Sequence, residues 1–156
     1  MISVIVLYHA QQDGNTELMA EAIAKGAEQF GGSVTLYNTN EKRFDIEELR
    51  KYDAAAFGSP EYYNYTTGGL QIFIDDLFKA RKNNREGLVN KPYGLFYYHK
   101  EGGKNAREFF EKLFRGFNFG PKIGSTIESV GAPDEAILRV CREMGRDLVQ
   151  AVENKE

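Results

Sequence analysis

Residues Ile2-Ser3-Val4-Ile5-Val6-Leu7-Tyr8 run straight into His9-Ala10-Gln11-Gln12-Asp13-Gly14-Asn15-Thr16-Glu17, and that junction decides the fold. The first seven are nearly all β-branched or apolar with no period-2 gap, the pattern of a strand covered on both faces. From Asn15 to Phe30 the pattern changes: Leu18, Met19, Ala22, Ile23 and Phe30 fall on one helical stripe, ended by Gly31-Gly32. A strand buried on both sides needs helices above and below it, so the junction is the first half of a βα unit.

The alternation continues along the chain. Ser33 to Tyr37 reads as a strand, Ile46 to Lys51 as a short helix, and Asp53 to Gly58 as a strand of small residues that lets helices pack close. Leu70, Phe73, Ile74, Leu77 and Phe78 mark the next helix, and Pro92 introduces a strand through Tyr98. Phe109, Phe110, Leu113, Phe114 and Phe117 mark another helix, and Ile123 to Val130 a last strand. Pro133, Asp134 and Glu135 open the final helix with a first-turn proline and two acids at its positive end, and Ile137, Val140, Cys141, Met144, Leu148 and Val152 form its buried face. Five β-α units predict an α/β fold, a three-layer α/β/α sandwich around five parallel strands, as one domain over residues 1–156.

Composition narrows the function. The chain has 156 residues, 42% of them hydrophobic, and 20 basic against 23 acidic residues give a net charge of −3. No general attraction to nucleic acid or to acidic membranes is expected. No apolar run reaches membrane-span length and no basic leader opens the chain, so a cytoplasmic protein is expected. Cys141 stands alone at helical spacing with Val140, Met144 and Leu148, which predicts a buried, inert thiol.

In an open parallel sheet with right-handed crossovers, ligands bind outside the carboxyl ends of the strands, where strand order reverses. Three loops lie there. The first carries Gly14, which permits close approach, and Asn15 and Thr16, which offer side-chain donors at a helix start whose free N–H groups and dipole suit a phosphate. Plain capping of the helix by Asn15 or Thr16 explains the same residues equally well. The second loop, Gly58-Ser59-Pro60-Glu61-Tyr62-Tyr63-Asn64-Tyr65-Thr66-Thr67-Gly68-Gly69, is long and aromatic, able to stack on a flat heterocycle and hydrogen-bond its rim. The third, Tyr97-Tyr98-His99-Lys100-Glu101-Gly102-Gly103, adds a ring pair, a solvated lysine and two flexible glycines. His9 and His99 end strands at this edge and read as hydrogen-bonded surface residues. The run Lys79-Ala80-Arg81-Lys82 reads either as a docking patch or as cations completing a helix C-terminus.

Together these residues resemble the flavodoxin-like superfamily, the flavodoxins and the flavodoxin-fold NAD(P)H:quinone or FMN reductases, over essentially the whole chain. Gly14-Asn15-Thr16-Glu17 is similar to the end of the family's phosphate loop. Gly58-Ser59-Pro60 with Tyr62, and the helix from Gly69 through Asp75, resemble its second loop, while Lys91-Pro92-Tyr93-Gly94-Leu95-Phe96 resembles its fourth strand. The resemblance implies the strand order 2-1-3-4-5 and non-covalent FMN passing electrons between a redox partner protein, or NAD(P)H, and an acceptor. Flavodoxin is among the proteins on which the strand-edge rule was built, so that placement comes with the resemblance. The implied cofactor-binding set is Gln11, Gln12, Asp13, Gly14, Asn15 and Thr16 at the phosphate; Ser59, Pro60, Glu61, Tyr62 and Tyr63 in the second loop; and Tyr98, His99, Gly102 and Gly103 in the third. Tyr62, Tyr63 and Tyr98 would line the ring, and no side chain need serve as an acid or base.

The chain departs from the family in the phosphate loop, with Gln11 and Asp13 where hydroxyl residues are usual, and Glu61 replaces a threonine in the second loop. Two unit charges about 4 Å apart near a protein surface repel by roughly 4 kcal/mol before screening. Either Asp13 lowers FMN affinity, or it turns to cap the helix as an internal anion mimic. The second case fits a flavin-free domain that uses the edge for binding, with His9, Asp13, Glu61 and His99 as conceivable metal ligands of no diagnostic spacing.

Overall fold

The computed structural model describes residues 1–11, 14–61, 66–100 and 104–155. Its elements are β1 (Ser3–Tyr8), α1 (Asn15–Gln29), β2 (Ser33–Asn38), a 3₁₀ helix (Ile46–Lys51), β3 (Ala54–Pro60), α2 (Gly68–Asn83), β4 (Tyr93–His99), α3 (Lys104–Phe117), β5 (Ile127–Val130) and α4 (Glu135–Glu153). All neighbouring strands pair in parallel, in the order β2-β1-β3-β4-β5. Strand order therefore reverses between β1 and β3, as expected, and the crevice at their carboxyl ends is the switch point.

Alternation along the strands divides the core in two. Val4, Val6 and Tyr8 of β1, Ala54 and Ala56 of β3, and Phe96 and Tyr98 of β4 face α1 and α4. Ile5, Leu7, Ala55, Phe57, Tyr93, Leu95 and Tyr97 face the other way, toward α2, α3 and the 3₁₀ helix. In the first layer α1 and α4 touch backbone to backbone. A Cβ on Gly26 would stand 1.9 Å from the Arg142 carbonyl oxygen, and one on Gly145 2.0 Å from that of Ile23. The second layer is filled by rings, with Phe57 stacked on Phe114 at 4.5 Å and edge-on to Phe119 at 5.5 Å.

Several boundaries differ from the sequence reading. Ser59 and Pro60 extend β3, paired with Tyr97 and Tyr98, where a loop was expected. The last strand starts at Ile127 instead of Ile123, because Gly124 takes φ 67° after an isolated bridge from Lys122 to Tyr93. Pro133 precedes the final helix, whose cap is Asp134. Leu18, Phe30, Phe78 and Val140, expected on buried stripes, are exposed, because each lies at the solvent margin of its helix. Cys141 is buried as expected, and burial pushes its thiol up to about 12.

Candidate functional site

A helix leaves its first N–H groups without intrahelical partners, so what meets them is a direct test of a binding edge. At the carboxyl end of β1, the cap position of α1 falls on Gly14, at φ 66° and with no side chain to offer. Open space lies where its Cβ would stand. Gly14 N–H donates to the Gln11 carbonyl at 3.3 Å and its own carbonyl accepts from Leu18 at 3.0 Å. Asn15 and Thr16 lie inside the helix, so neither occupies the cap position.

At the carboxyl end of β3, the cap of α2 is Thr67, and its side chain makes no capping hydrogen bond. Thr67 Oγ1 and the neighbouring Thr66 Oγ1 are buried without a hydrogen-bond partner among the described residues. Ser59, also buried, holds this turn: its Oγ accepts from Thr67 N–H at 3.2 Å and donates to the Pro60 carbonyl at 2.7 Å. Helix starts away from the switch point are built differently. Asp45 accepts from Glu47 N–H at 3.1 Å to cap the 3₁₀ helix that leads into the amino end of β3, and Asp134 accepts from Ile137 N–H at 2.9 Å to cap α4 after β5. The two helix starts flanking the switch point have no side-chain cap, and these two do.

The strand ends between these starts carry polar side chains. His9 is 7% exposed, with Nδ1 at 3.2 Å from Thr39 Oγ1, and burial lowers its pKa. Tyr8 Oη donates to Glu17 Oε1 at 2.7 Å, and burial followed by that carboxylate raises the phenol pKa. Asn38 braces the first loop from β2, accepting from Ala10 N–H at 3.0 Å and donating to the Ala10 carbonyl at 3.1 Å. Nothing in the sequence singled out Asn38; its place directly across from Tyr8 in the β1–β2 register gives it this role.

His99 corrects the expectation of a surface loop residue. It is the last residue of β4 and 2% exposed, its ring tilted over Tyr97 at 5.3 Å. Its Nε2 meets Glu128 Oε1 at 2.5 Å, and Glu128 Oε2 accepts from Arg107 Nη1 at 3.3 Å. Arg107 in turn donates to Glu111 Oε1 at 3.0 Å, which also accepts from Thr126 Oγ1 at 2.8 Å. Burial pushes the Glu111 carboxyl upward, but the Thr126 hydroxyl and Arg107 outweigh it and hold it low. The other nitrogen, His99 Nδ1, is buried with no partner among the described residues.

Of the residues expected at the cofactor, Gly14, Asn15, Thr16, Ser59, Pro60, Glu61, Tyr98 and His99 thus share this edge with the exposed Gln11. Gln12, Asp13, Tyr62, Tyr63, Gly102 and Gly103 lie outside the described residues. Tyr98, expected to line the ring, is 9% exposed and packs in the core layer of α1 and α4, because an even step along β4 from Phe96 turns it to that face. Among the described residues no three His, Cys, Asp or Glu side chains are grouped to hold a metal.

A family model described as Flavodoxin matches residues 6–130. A putative diflavin flavoprotein A 3 of Synechocystis sp. is 30% identical over 97% of this chain and 24% of its own length. An NAD(P)H dehydrogenase (quinone) of Archaeoglobus fulgidus is 26% identical over 98% of each chain. Among solved structures, a flavodoxin from the domain Archaea superposes with a TM-score of 0.80 at 23% identity, covering 97% of this chain and 99% of that one. The chain spans about a quarter of the length of the first curated relatives it matches. No described helix is long and apolar enough to cross a membrane.

Proposed function

We propose, from the premise that this chain belongs to the flavodoxin family, that it binds FMN at the carboxyl edge of its sheet and serves as a redox module. The observation that carries this reading is the contrast in capping. Helix starts α1 and α2 keep N–H donors for a ligand, whereas the starts away from the switch point spend theirs on Asp45 and Asp134. The buried Thr66 and Thr67 hydroxyls and His99 Nδ1 add polar atoms in search of partners at the same edge. An anionic ligand with a polar tail and a flat ring meets all of these needs.

In this reading the start of α1, from Gly14 through Thr16, holds the phosphate through backbone N–H groups, with Gln11, Gln12 and Asp13 forming the loop over it. Ser59, Pro60 and Glu61 set the course of the second loop, which brings Tyr62 and Tyr63 to the ring, and Gly102 and Gly103 close on it from the third. Tyr98 supports the floor from within the core. His99, fixed by Glu128, presents Nδ1 to the third loop. Bound FMN takes up and releases electrons one or two at a time; the protein orients it and excludes water. The electron source is a reduced partner protein or NAD(P)H, and the acceptor a partner or a small oxidant. The printed names of the relatives, a diflavin flavoprotein and a quinone dehydrogenase, support this range of partners. We place the protein in the cytoplasm.

Fluorescence titration of the flavin-free protein with FMN and with riboflavin tests the proposal. FMN should bind at least about tenfold more tightly, the worth of one or two charge-assisted hydrogen bonds. Equal affinities would remove the phosphate cradle. Failure of both to bind at high micromolar concentration would leave a flavin-free domain.

A further inference from the structure

Each helix returns antiparallel to the strand before it, so α2 and α3 end side by side at the amino-terminal pole of the sheet, away from the cofactor edge. Their last turns enclose a groove of about 540 Å³. Phe78, 48% exposed, forms its apolar floor with Leu113 and Phe117, and the two rings meet edge to face at 6.2 Å. Arg81, Lys82, Arg85 and Lys112 form the rim. Lys82 Nζ sits 4.4 Å from the centre of the Phe78 ring, and the Arg81 guanidinium 5.9 Å from that of Phe117.

The positive charge here has no folding partner. Several cations elsewhere are matched, Arg43 with Asp76, Arg50 with Glu47, Lys51 with Glu48 and Lys79 with Asp75. None of the four rim residues forms an ion pair with a described residue. Burial and then repulsion from Arg85 push the Arg81 pKa down. Arg81 and Lys82 stand in the last turn of α2, but completion of its dipole does not account for the whole cluster: Arg81 donates to the Phe117 carbonyl at the end of α3, Arg85 lies beyond α2, and Lys112 belongs to α3. In a chain of net charge −3, four unmatched cations around exposed rings are held against their own repulsion.

We propose that this groove docks an acidic amphipathic segment of a partner protein, with aliphatic or aromatic side chains on Phe78, Leu113 and Phe117 and carboxylates on the cationic rim. Charge complementarity selects the occupant. Spread cations suit separate carboxylates, and the apolar floor has no counterpart in a nucleic-acid backbone. A partner held at this pole leaves the cofactor edge open, so docking and electron transfer proceed on opposite ends of the molecule. The inference does not depend on flavin binding.

The probe is a fluorescein-labelled synthetic peptide, Glu-Asp-Leu-Glu-Glu-Phe-Leu-Glu-Asp-Leu, followed by anisotropy at low salt. Comparison probes are the same peptide with lysine for each acid, a single-stranded oligonucleotide and phosphatidylserine vesicles. The acidic peptide should bind and the lysine peptide should not. Arg85→Glu with Lys112→Glu should weaken it by about tenfold or more, through lost steering and rim contacts. Phe78→Ser should weaken it without changing net charge. Lys25→Glu with Arg139→Glu, an equal charge change on exposed positions of α1 and α4, should leave binding within a factor of about two of wild type after screening. Thermal melts verify that each variant is folded. Absence of acidic-peptide binding, equal weakening by both charge-reversal pairs, or tighter rim-dependent binding of the oligonucleotide or vesicles would overturn the proposal.

Discussion

The centre of the carboxyl edge and its α4 flank solve the same problem in opposite ways. At the flank, Asp134 accepts from a first-turn N–H of its helix, as Asp45 does for the 3₁₀ helix that leads into the amino end of β3, and the chain is self-sufficient there. At the centre, α1 starts on a glycine and α2 on a threonine whose hydroxyl caps nothing. The glycine start of α1 forgoes only a few tenths of a kcal/mol and the unused cap of α2 about 1 kcal/mol, and a buried unpaired hydroxyl costs a further 1 to 3 kcal/mol or so. The difference teaches that the fold leaves capping stability unused at the switch point, where the proposed ligand would supply the missing partners.

The largest expected effect bears on the centre. Asp13 directly precedes Gly14 in the sequence, and under the proposed function its carboxylate would oppose a phosphate bound at the α1 start. Asp13→Thr should tighten FMN by about a hundredfold at low salt, some 3 kcal/mol out of the roughly 4 kcal/mol between two charges about 4 Å apart. The gain should shrink as salt is added, and riboflavin affinity should hold still. Calorimetric titrations of both ligands at low and high salt give the answer. A loss of thermal stability with unchanged FMN affinity would instead make Asp13 a cap, and would erase the contrast between centre and flanks at α1.

The next effect tests α2. Thr67→Val is nearly isosteric and removes a buried hydroxyl that has no partner among the described residues. Without flavin the variant should be as stable as wild type or slightly more so, and its FMN affinity should fall about tenfold, one lost hydrogen bond. A melt showing marked destabilisation would mean that the hydroxyl already serves the fold. Asp134→Ala is the flank control. It should cost about 1 kcal/mol in denaturant unfolding and leave the FMN affinity unchanged.

Much of this edge was legible in the sequence, and its limits have physical causes. The continuous apolar run of β1 and the stripe after it were enough for a parallel α/β sandwich, because burial on both faces leaves a local signature, while the strand order came with the family resemblance. Whether Asn15 and Thr16 cap α1 was open, since the same residues serve both roles; the cap position falls on the left-handed Gly14 instead. The His99, Glu128, Arg107, Glu111 and Thr126 chain was not legible, because it joins β4, β5 and α3 across the fold and no sequence spacing encodes it. Phe78 misled for a related reason. Its helical stripe was apolar all along, but Leu77 and Ala80 on either side of it face the core and Phe78 falls at the margin of that face.

The smallest effect concerns His9, which the centre buries between β1, Thr39 and the start of α2: a Cβ on Gly69 would stand 3.1 Å from its Nδ1. Burial penalises the imidazolium, so the folded-state pKa lies below the ordinary 6.5. As pH falls through 6.5, the unfolded chain takes up a proton before the folded one does. The stability His9 contributes is therefore complete above that point and is lost below it, until the folded pKa is reached. His9→Gln removes the titration. Between about pH 7 and pH 5 the wild type should lose more unfolding free energy than the variant, the difference arising around the ordinary histidine range. Bound FMN should enlarge the gap, because a ligand that binds only the folded state adds its own free energy to the form with neutral His9 if the phosphate loop depends on that strand end. Urea titrations across this pH range, with and without FMN, measure it. Parallel curves for the two proteins would show that His9 protonates as freely in the fold as outside it, and that the centre of the edge is no drier than its flanks.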